Sequence, residues 1–178
     1  MDAYNQLNSA TTEGATPTTL RPEVNVNHRI RLRLVPHLDS PDSFTFNTIE
    51  RYLKPGDPVL RICSDRADLG ASANAHRSTS TSLANANLIT FRSKVLSRWH
   101  AEIWVDASGK FFVKDTQSSS GTFLNGVRLS AVNTASEPYE IVDGDVLQLG
   151  LDYNGGVEDE YKSVKIKLEI EIVRGEVE

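Results

Sequence analysis

Hydroxyl and cationic side chains are concentrated in two short polar segments of the sequence. Lys94, Ser97 and Arg98 lie in the first segment, and Ser119 and Ser120 lie in the second. Together with loop N–H groups, these side chains are hydrogen-bond donors that suit a phosphate group. Holding one phosphate requires neither a nucleophile nor a base. The two segments therefore predict an anion-binding site, provided that the fold brings them together.

The apolar runs beside the two segments predict how they meet. Ala101–Val105 follows the first segment and Phe111–Val113 precedes the second, and turn residues separate the two runs. If the runs form a hairpin joined at residues 107–109, both polar segments lie at the same end of the sheet. The sequence thus predicts one site built from two loops.

Strict alternation of apolar and charged residues marks two longer strands. In residues 28–34 three aliphatic residues alternate with arginines, and in residues 164–172 five aliphatic residues alternate with lysines and glutamates. A period of two indicates half-buried strands, because a helix would scatter these residues around its surface. We expect the charged rows to pair across the two strands: Arg29, Arg31 and Arg33 with Glu169 and Glu171.

Further short apolar runs fill the region between these two strands. They are Phe44–Ile49, Val59–Cys63, Leu88–Phe91, Ala101–Val105, Phe111–Val113, Thr122–Leu124, Val127–Leu129, Tyr139–Val142 and Val146–Leu149. Turn residues separate many of them, and no stretch of a dozen residues has a helical pattern. The pattern predicts an all-β sandwich of about eleven strands.

Composition divides the chain into one domain and its flanking segments. Residues 1–27 lack any structural period and predict a disordered tail, and residues 71–87, rich in Ser, Thr, Ala and Asn, predict a mobile insertion. The domain is expected over residues 28–173, with a short tail at 174–178.

Charge and cysteine content exclude several classes of protein. The net charge of −5 disfavours a nucleic-acid partner, and no run of about 20 apolar residues predicts a membrane span. The single cysteine, Cys63, forms no internal disulfide, and a start without a secretory leader agrees with the cytosol or nucleus. We expect no cofactor and no metal, and the sequence leaves the oligomeric state open.

Two motifs resemble those of the forkhead-associated (FHA) domain family. The motifs are Ser97-Arg98-Trp99-His100 and the run from Ser118 to Gly126. The resemblance implies a β-sandwich that binds a phosphothreonine-containing protein through loops at one end, without catalysis. Ser97 and His100 could also suggest a hydrolase, but the sequence has no nucleophile elbow and no orienting acid.

The stretches around residues 31–37, 93–104 and 143–153 are similar to fungal FHA–RING ubiquitin ligases of the Dma/Chfr type and to SLMAP-type scaffold proteins. A RING requires several Cys and His ligands for zinc, and this chain has one Cys. The resemblance therefore covers only the FHA part, and one alternative is that the chain is the N-terminal fragment of such a ligase.

The resemblance implies roles for individual residues at the phosphopeptide site. Ser97 matches the serine that hydrogen-bonds the phosphate, and Arg98 matches a neighbouring contact position. Ser119 and Ser120 match the second binding loop, while His100 matches a histidine that supports the first loop from inside.

Three further residues match positions that shape or connect the loops. Gly121 and Thr122 match positions that shape the second loop, and Asn125 matches an asparagine that ties loops together. Lys94 is added to the predicted site from its charge and its proximity to Ser97.

One departure from the family pattern bears on function. The family usually carries a Gly-Arg pair after an early strand, and its arginine contributes to phosphate binding, whereas this chain has Cys63-Ser64 there. Arg66 is the nearest candidate to replace that arginine. Because a charged hydrogen bond contributes roughly 1.5–3 kcal/mol, a second alternative is a degenerate FHA domain acting as a phosphate-independent scaffold.

Overall fold

Eleven strands lie in the part of the chain that the computed structural model describes, which is residues 29–65, 87–153, 155 and 157–173. The strands are β1 Arg29–Pro36, β2 Ile49–Leu53, β3 Leu60–Ser64, β4 Leu88–Phe91, β5 Ala101–Val105, β6 Phe111–Asp115, β7 Thr122–Leu124, β8 Val127–Arg128, β9 Tyr139–Ile141, β10 Val146–Leu149 and β11 Val164–Val173. A 3-10 turn covers Asp159–Tyr161. The predicted all-β architecture is confirmed. The predicted tails 1–27 and 174–178, the insertion 71–87 apart from Asn87, and Arg66 lie outside the described residues.

The strands form two sheets that pack face to face. The six-stranded sheet has the order β2-β1-β11-β10-β7-β8, and the five-stranded sheet has the order β4-β3-β5-β6-β9. Most neighbours are antiparallel, but β3 and β4 are parallel. A parallel pair requires a long connection, and residues 65–87 supply it. No helix in the described part of the chain has the length and apolar character to cross a membrane.

The register of β1 against β11 pairs the predicted charged rows. Arg31 lies opposite Glu171 and Arg33 lies opposite Glu169, and each pair forms an ion pair. Arg29 lies opposite Val173 and has no acidic neighbour at that register position. The aliphatic residues of β1, and those of β11 as far as Ile170, face the core as the period of two predicted. Ile172, which the same pattern placed on the inward face, is 65% exposed near the end of β11.

The core lies between the inner faces of the two sheets. Leu32, Leu34 and Leu168 contribute from one sheet, and Ile62 and Ile103 contribute from the other, all with no solvent exposure. Burying an aliphatic side chain contributes about 1.5–3 kcal/mol. This packing makes the sheets a rigid base for the loops that connect them.

The predicted strand at Phe44–Ile49 is wrong, because β2 begins only at Ile49. Phe44 is buried in the core from an irregular segment, and Phe46 packs edge-on against Phe91 with ring centroids 4.9 Å apart. An apolar run therefore indicates that its side chains are buried, but it does not establish that they form a strand. Aromatic side chains can reach the core from an irregular segment.

The predicted β5–β6 hairpin is confirmed. Val105 lies opposite Phe111, and the Asp106 carboxylate accepts hydrogen bonds from the backbone N–H groups of Ser108 and Lys110. The hairpin places the residues before β5 and after β6 at the same end of the sandwich.

Candidate functional site

The two polar loops meet at the hydroxyl group of Ser97. This residue lies in the β4–β5 loop (residues 92–100), and Ser119 lies in the β6–β7 loop (residues 116–121). The backbone N–H of Ser119 donates to Ser97 Oγ at 3.0 Å, and the two Oγ atoms are 3.1 Å apart. Two hydroxyls and one amide from different loops therefore face the same point at the end of the sandwich.

A buried histidine joins the two loops beneath this point. His100 Nδ1 accepts a hydrogen bond from the Ser97 backbone N–H at 3.0 Å, and its Nε2 lies 3.1 Å from the Gly121 carbonyl oxygen. Because Nδ1 is an acceptor, Nε2 carries the proton and donates to Gly121. Burial lowers the pKa of His100, which favours this neutral tautomer. The imidazole contacts the backbone of Ser97 and not its hydroxyl, so the pair does not form a nucleophile and its base.

A buried carboxylate shapes the β6–β7 loop. Asp115 occupies an inward position at the end of β6 and is 1% exposed. It accepts hydrogen bonds from the Ser118 N–H at 2.7 Å, from the Ser118 hydroxyl, and from Thr122 Oγ1 at 2.7 Å. Ser118 Oγ in turn accepts the N–H of Gly121 at 2.9 Å. Side-chain oxygen atoms thus accept the backbone N–H groups of the loop, where hydrogen bonding between strands ends.

Two glycines allow the loops to approach their neighbours closely. Gly121 has a φ of +94°, and a Cβ atom there would lie 2.8 Å from the guanidinium of Arg128. Gly150, at the end of β10, has a φ of +75°, and a Cβ there would lie 2.9 Å from a methyl group of Val95. Gly150 also donates its N–H to the Gly121 carbonyl at 2.8 Å. The site therefore extends from the two polar loops to the β10–β11 connection (residues 150–163).

The two cations predicted for the site differ in their surroundings. Lys94 Nζ donates to Glu160 Oε1 at 2.6 Å and lies 5.0 Å from the ring centroid of Tyr161. The hydrogen bonds from Lys94 to Glu160 and to the Tyr161 hydroxyl raise the pKa of Lys94 and hold its ammonium group at one side of the site. Arg98 is exposed, and none of the described residues forms a hydrogen bond or ion pair with its side chain. As far as the described residues are concerned, the donors of Arg98 are therefore available beside Ser97.

Cys63 and Ser64 occupy the end of β3, where the family pattern has Gly-Arg. Cys63 is buried, and burial raises the pKa of its thiol. Ser64 donates its N–H to the Ser97 carbonyl at 3.1 Å and its hydroxyl to the Ser93 carbonyl at 2.8 Å. This position touches the β4–β5 loop but brings no charge to it. Arg66 lies outside the described residues.

Of the other predicted residues, Ser120 and Thr122 lie at the site and Asn125 does not. The Ser120 hydroxyl donates to the Val95 carbonyl, which links the second loop to the first. Asn125 lies in the β7–β8 turn, where its Nδ2 donates to Asp145 Oδ1 at 2.9 Å and its Oδ1 accepts the Val146 N–H at 2.9 Å. Asn125 therefore ties two turns together away from the Ser97–Ser119 contact.

Asp115, Glu160 and Arg128 belong to the site region but were not predicted. Asp115 had a signal in the sequence, because an acid at an inward strand position must find buried donors. Glu160 lies 66 positions from Lys94, and no local pattern indicates such a pairing. Among the described residues, no group of three His, Cys, Asp or Glu side chains is placed to hold a metal ion.

Comparison with known proteins agrees with the two motifs. Residues 77–150 match the family model of the FHA domain. The chain is 33% identical over 173 residues to the E3 ubiquitin-protein ligase DMA1 of Saccharomyces cerevisiae, which covers 96% of this chain and 41% of that protein. It is 52% identical over 67 residues to the human sarcolemmal membrane-associated protein, covering 37% of this chain and 8% of that protein. The chain thus spans less than half the length of these relatives.

A solved structure shows the same fold. The kinase-interacting FHA domain of the Arabidopsis kinase associated protein phosphatase superposes with a TM-score of 0.51 at 15% sequence identity, covering 83% of this chain and 98% of that domain. The predicted FHA-type sandwich is confirmed.

The buried His100 makes stability depend on pH. Its pKa in the folded chain is below the ordinary value of 6.5, so near pH 6 the unfolded chain binds more protons than the folded chain. The free energy of unfolding should therefore fall as pH decreases below about 6.5, by roughly 1 kcal/mol per pH unit until the folded pKa is reached. Urea unfolding at a series of pH values measures this slope.

The His100→Gln variant should be less stable than the parent at neutral pH and should lose most of this acid slope. His37→Gln, outside the loop network, is the matched control and should retain the slope of the parent. An unchanged slope in His100→Gln would contradict the assignment of the buried imidazole.

Neutralising Asp115 should lower the free energy of unfolding far more than neutralising an exposed aspartate that accepts the same number of hydrogen bonds. Asp115→Asn replaces one acceptor oxygen with a donor amide among three buried donors, and we expect a loss of about 3 kcal/mol in unfolding free energy. Asp106→Asn is the matched control, since Asp106 also accepts three hydrogen bonds but at an exposed turn. Its expected loss is about 1 kcal/mol. Equal losses for both variants would show that burial of Asp115 has no special cost.

Proposed function

Because the chain carries an FHA domain, we propose that it recognises phosphothreonine peptides and mediates phosphorylation-dependent protein–protein interaction. One observation supports this above all others: Ser97 and Ser119, from two separate loops, meet at the end of the sandwich, where their Oγ atoms are 3.1 Å apart and the Ser119 N–H donates to Ser97 Oγ. The domain itself needs no catalytic group for this task.

The hydroxyl groups of Ser97 and Ser119 and the N–H of Ser119 are the donors that we expect to bind the phosphate. Ser97 Oγ and Ser119 Oγ share one hydrogen bond, so one hydroxyl proton is used between them and the other is free to donate outward. A phosphate oxygen placed between the loops also competes for the Ser119 N–H, which is part of a preformed backbone. Hydrogen bonds to a charged oxygen are roughly twice as strong as neutral ones, which favours the exchange.

Arg98 supplies the charge in this proposal. It follows Ser97 directly, is exposed, and has a guanidinium group to which no described residue is hydrogen-bonded. Lys94 contributes less, because Glu160 already neutralises its ammonium group at 2.6 Å. We therefore assign the phosphate to Ser97, Ser119 and Arg98, and the flank of the bound peptide to Lys94 and Ser120.

Calorimetric titration with one phosphothreonine peptide library and its unphosphorylated counterpart tests the proposal. The phosphorylated pool should bind and the unphosphorylated pool should not. Ser97→Ala should weaken binding by about tenfold, because it removes a donor to a charged group.

Ser108→Ala is the matched control, since Ser108 lies in the β5–β6 turn at the opposite end of the sandwich. It should bind like the parent. Equal affinity for both peptide pools, or parental affinity in Ser97→Ala with its fold intact, would overturn the proposal.

Ser64 supports a second candidate function, which is a phosphate-independent scaffold. Its hydroxyl donates to the Ser93 carbonyl at 2.8 Å, so the position brings no cation to the phosphate donors. A protein partner that binds the faces of the sandwich would not need that charge.

Ser64→Arg separates the two candidates. If the domain is a working phosphothreonine reader, the parent already binds and the variant binds about tenfold more tightly through the added charged hydrogen bond. If it is a scaffold, the parent shows no phosphate-dependent binding. Ser64→Gln controls for side-chain size without charge and should not exceed the parent.

We do not propose that these residues catalyse ubiquitin transfer, although the yeast relative is named as a ligase. The sequence holds one Cys and four His, fewer thiolates than a RING zinc site uses. We propose that the segment selects the phosphorylated protein. We also propose the cytosol or nucleus as its location, in keeping with the free thiol of Cys63.

A further inference from the structure

A serine–proline pair lies in an exposed turn of the connection between β1 and β2. The pair is Ser40-Pro41, and residues 38–42 are all exposed. The Ser43 N–H donates to the Ser40 carbonyl at 3.2 Å. This bond closes a four-residue turn with proline at its second position, where the fixed φ of proline is favoured. The pair is therefore presented at the surface, and it belongs to neither of the two binding loops.

The Ser40 hydroxyl is only weakly engaged in this turn. The Ser43 hydroxyl donates to Asp39 Oδ1 at 2.8 Å and accepts the Ser40 N–H at 3.1 Å. Among the described residues, the one hydrogen-bond partner of Ser40 Oγ is Ser43 Oγ, at 3.3 Å. Because the Ser43 proton is directed to Asp39, Ser40 is the donor in this long contact. The lone pairs of the Ser40 hydroxyl oxygen are therefore free to react.

Two lysines line the cavity that Ser40 shares with the start of β11. The cavity has a volume of about 220 Å³, and Lys162 and Lys165 both contribute to its wall. Their side chains are 12% and 29% exposed, so both are largely withdrawn from solvent. Lys165 pairs with Asp39, and Lys162 donates to Asp159 Oδ1 at 2.8 Å. Asp159 is 80% exposed, and an ion pair of that kind contributes little stability.

Three carboxylates line the same cavity. They belong to Asp39, Asp42 and Asp152. The Asp152 carboxylate already accepts the N–H and the hydroxyl of Ser163 at 2.7 and 2.8 Å. A group attached to Ser40 therefore meets charges of both signs. The lysines hold such a group only if it is a stronger acceptor than a carboxylate.

We propose that Ser40 is a phosphorylation site for proline-directed protein kinases and that Lys162 and Lys165 hold the resulting phosphate. In the reaction, Ser40 Oγ forms a bond to the γ-phosphorus of ATP, and the bond from that phosphorus to the β–γ bridging oxygen breaks. ADP leaves, and the hydroxyl proton passes to the base of the kinase. Kinases of this class select a serine that is followed by proline, the residue without a backbone N–H.

A phosphate on Ser40 is a stronger partner for the two lysines than the carboxylates that they contact. It carries nearly two negative charges and three acceptor oxygens near neutral pH, whereas Asp39 and Asp159 carry one charge each. It therefore displaces these carboxylates from the ammonium groups. The held phosphate ties the β1–β2 connection to residues 162–165.

Phosphorylation of the folded chain tests the site. Thr16→Ala leaves Ser40-Pro41 as the one Ser-Pro or Thr-Pro pair in the sequence. This variant is incubated with ATP and a purified mitogen-activated protein kinase, and the product is analysed by intact mass and peptide fragmentation. One phosphate should be added, on Ser40. Adding Ser40→Ala or Pro41→Ala should abolish the reaction.

Ser43→Ala is the matched control, because Ser43 belongs to the same turn but is followed by phenylalanine. Its chain should be phosphorylated like the parent. Absence of phosphate on Ser40, or equal phosphorylation in Pro41→Ala, would overturn the assignment of the site.

Phosphorus-31 NMR of the phosphorylated chain tests the role of the lysines. The second pKa of a phosphoserine is about 6, and nearby cations lower it whereas nearby carboxylates raise it. The midpoint of the titration should lie about 0.5 pH units below that value, and Lys165→Gln should return it towards about 6. The titration uses the His37→Gln background, because His37 precedes the turn and a histidine titrates in the same range.

Lys110→Gln is the matched control, because Lys110 is also paired with a carboxylate, that of Glu140 at 2.9 Å, but at the opposite end of the sandwich. It should keep the lowered midpoint. A midpoint at or above about 6, or the same midpoint with and without Lys165, would show that the carboxylates dominate and would overturn the assignment of the lysines. Neither experiment uses a phosphothreonine peptide, so the outcome is independent of the proposed function.

Discussion

The geometry of the site depends on one neutral imidazole. His100 accepts the Ser97 N–H on one nitrogen and donates to the Gly121 carbonyl with the other. These two backbone groups belong to different loops, so the ring fixes the separation of the loops as well as their orientation. A protonated ring would place two donors face to face at Ser97. The site therefore requires an environment that keeps the imidazole uncharged, and complete burial provides it.

The surrounding interactions extend this constraint to the rest of the β6–β7 loop. At the end of a sandwich the strand ladder stops, and backbone donors there must find side-chain acceptors. Asp115 and Ser118 take that role for the loop that carries Ser119. Buried groups therefore hold the backbone of the loop that carries the exposed Ser119 hydroxyl, and no ligand is needed to order it. Preorganisation of this kind reduces the cost of binding.

The sequence predicted the strands and the meeting of the loops because both follow from local rules. Alternation predicted the faces of β1, and of β11 as far as Ile170, and the turn after Val105 predicted the hairpin that brings the loops together. The failures have a common cause, which is pairing at long range. The engagement of Lys94 by Glu160 and the burial of Phe44 outside any strand depend on contacts that no local pattern contains.

The described residues bring little positive charge to the site. Among the described residues near Ser97, Arg98 is exposed without an ion pair, Lys94 is neutralised by Glu160, and Ser64 contributes no cation. A phosphate held by hydroxyls, an amide and one guanidinium gains less than one held by several cations. The proposed recognition of phosphothreonine therefore relies on the hydroxyl and amide donors of Ser97 and Ser119 more than on charge. Those donors are held in place by His100 and Asp115, so the buried hydrogen bonds beneath the loops have to supply the order that several cations would otherwise provide.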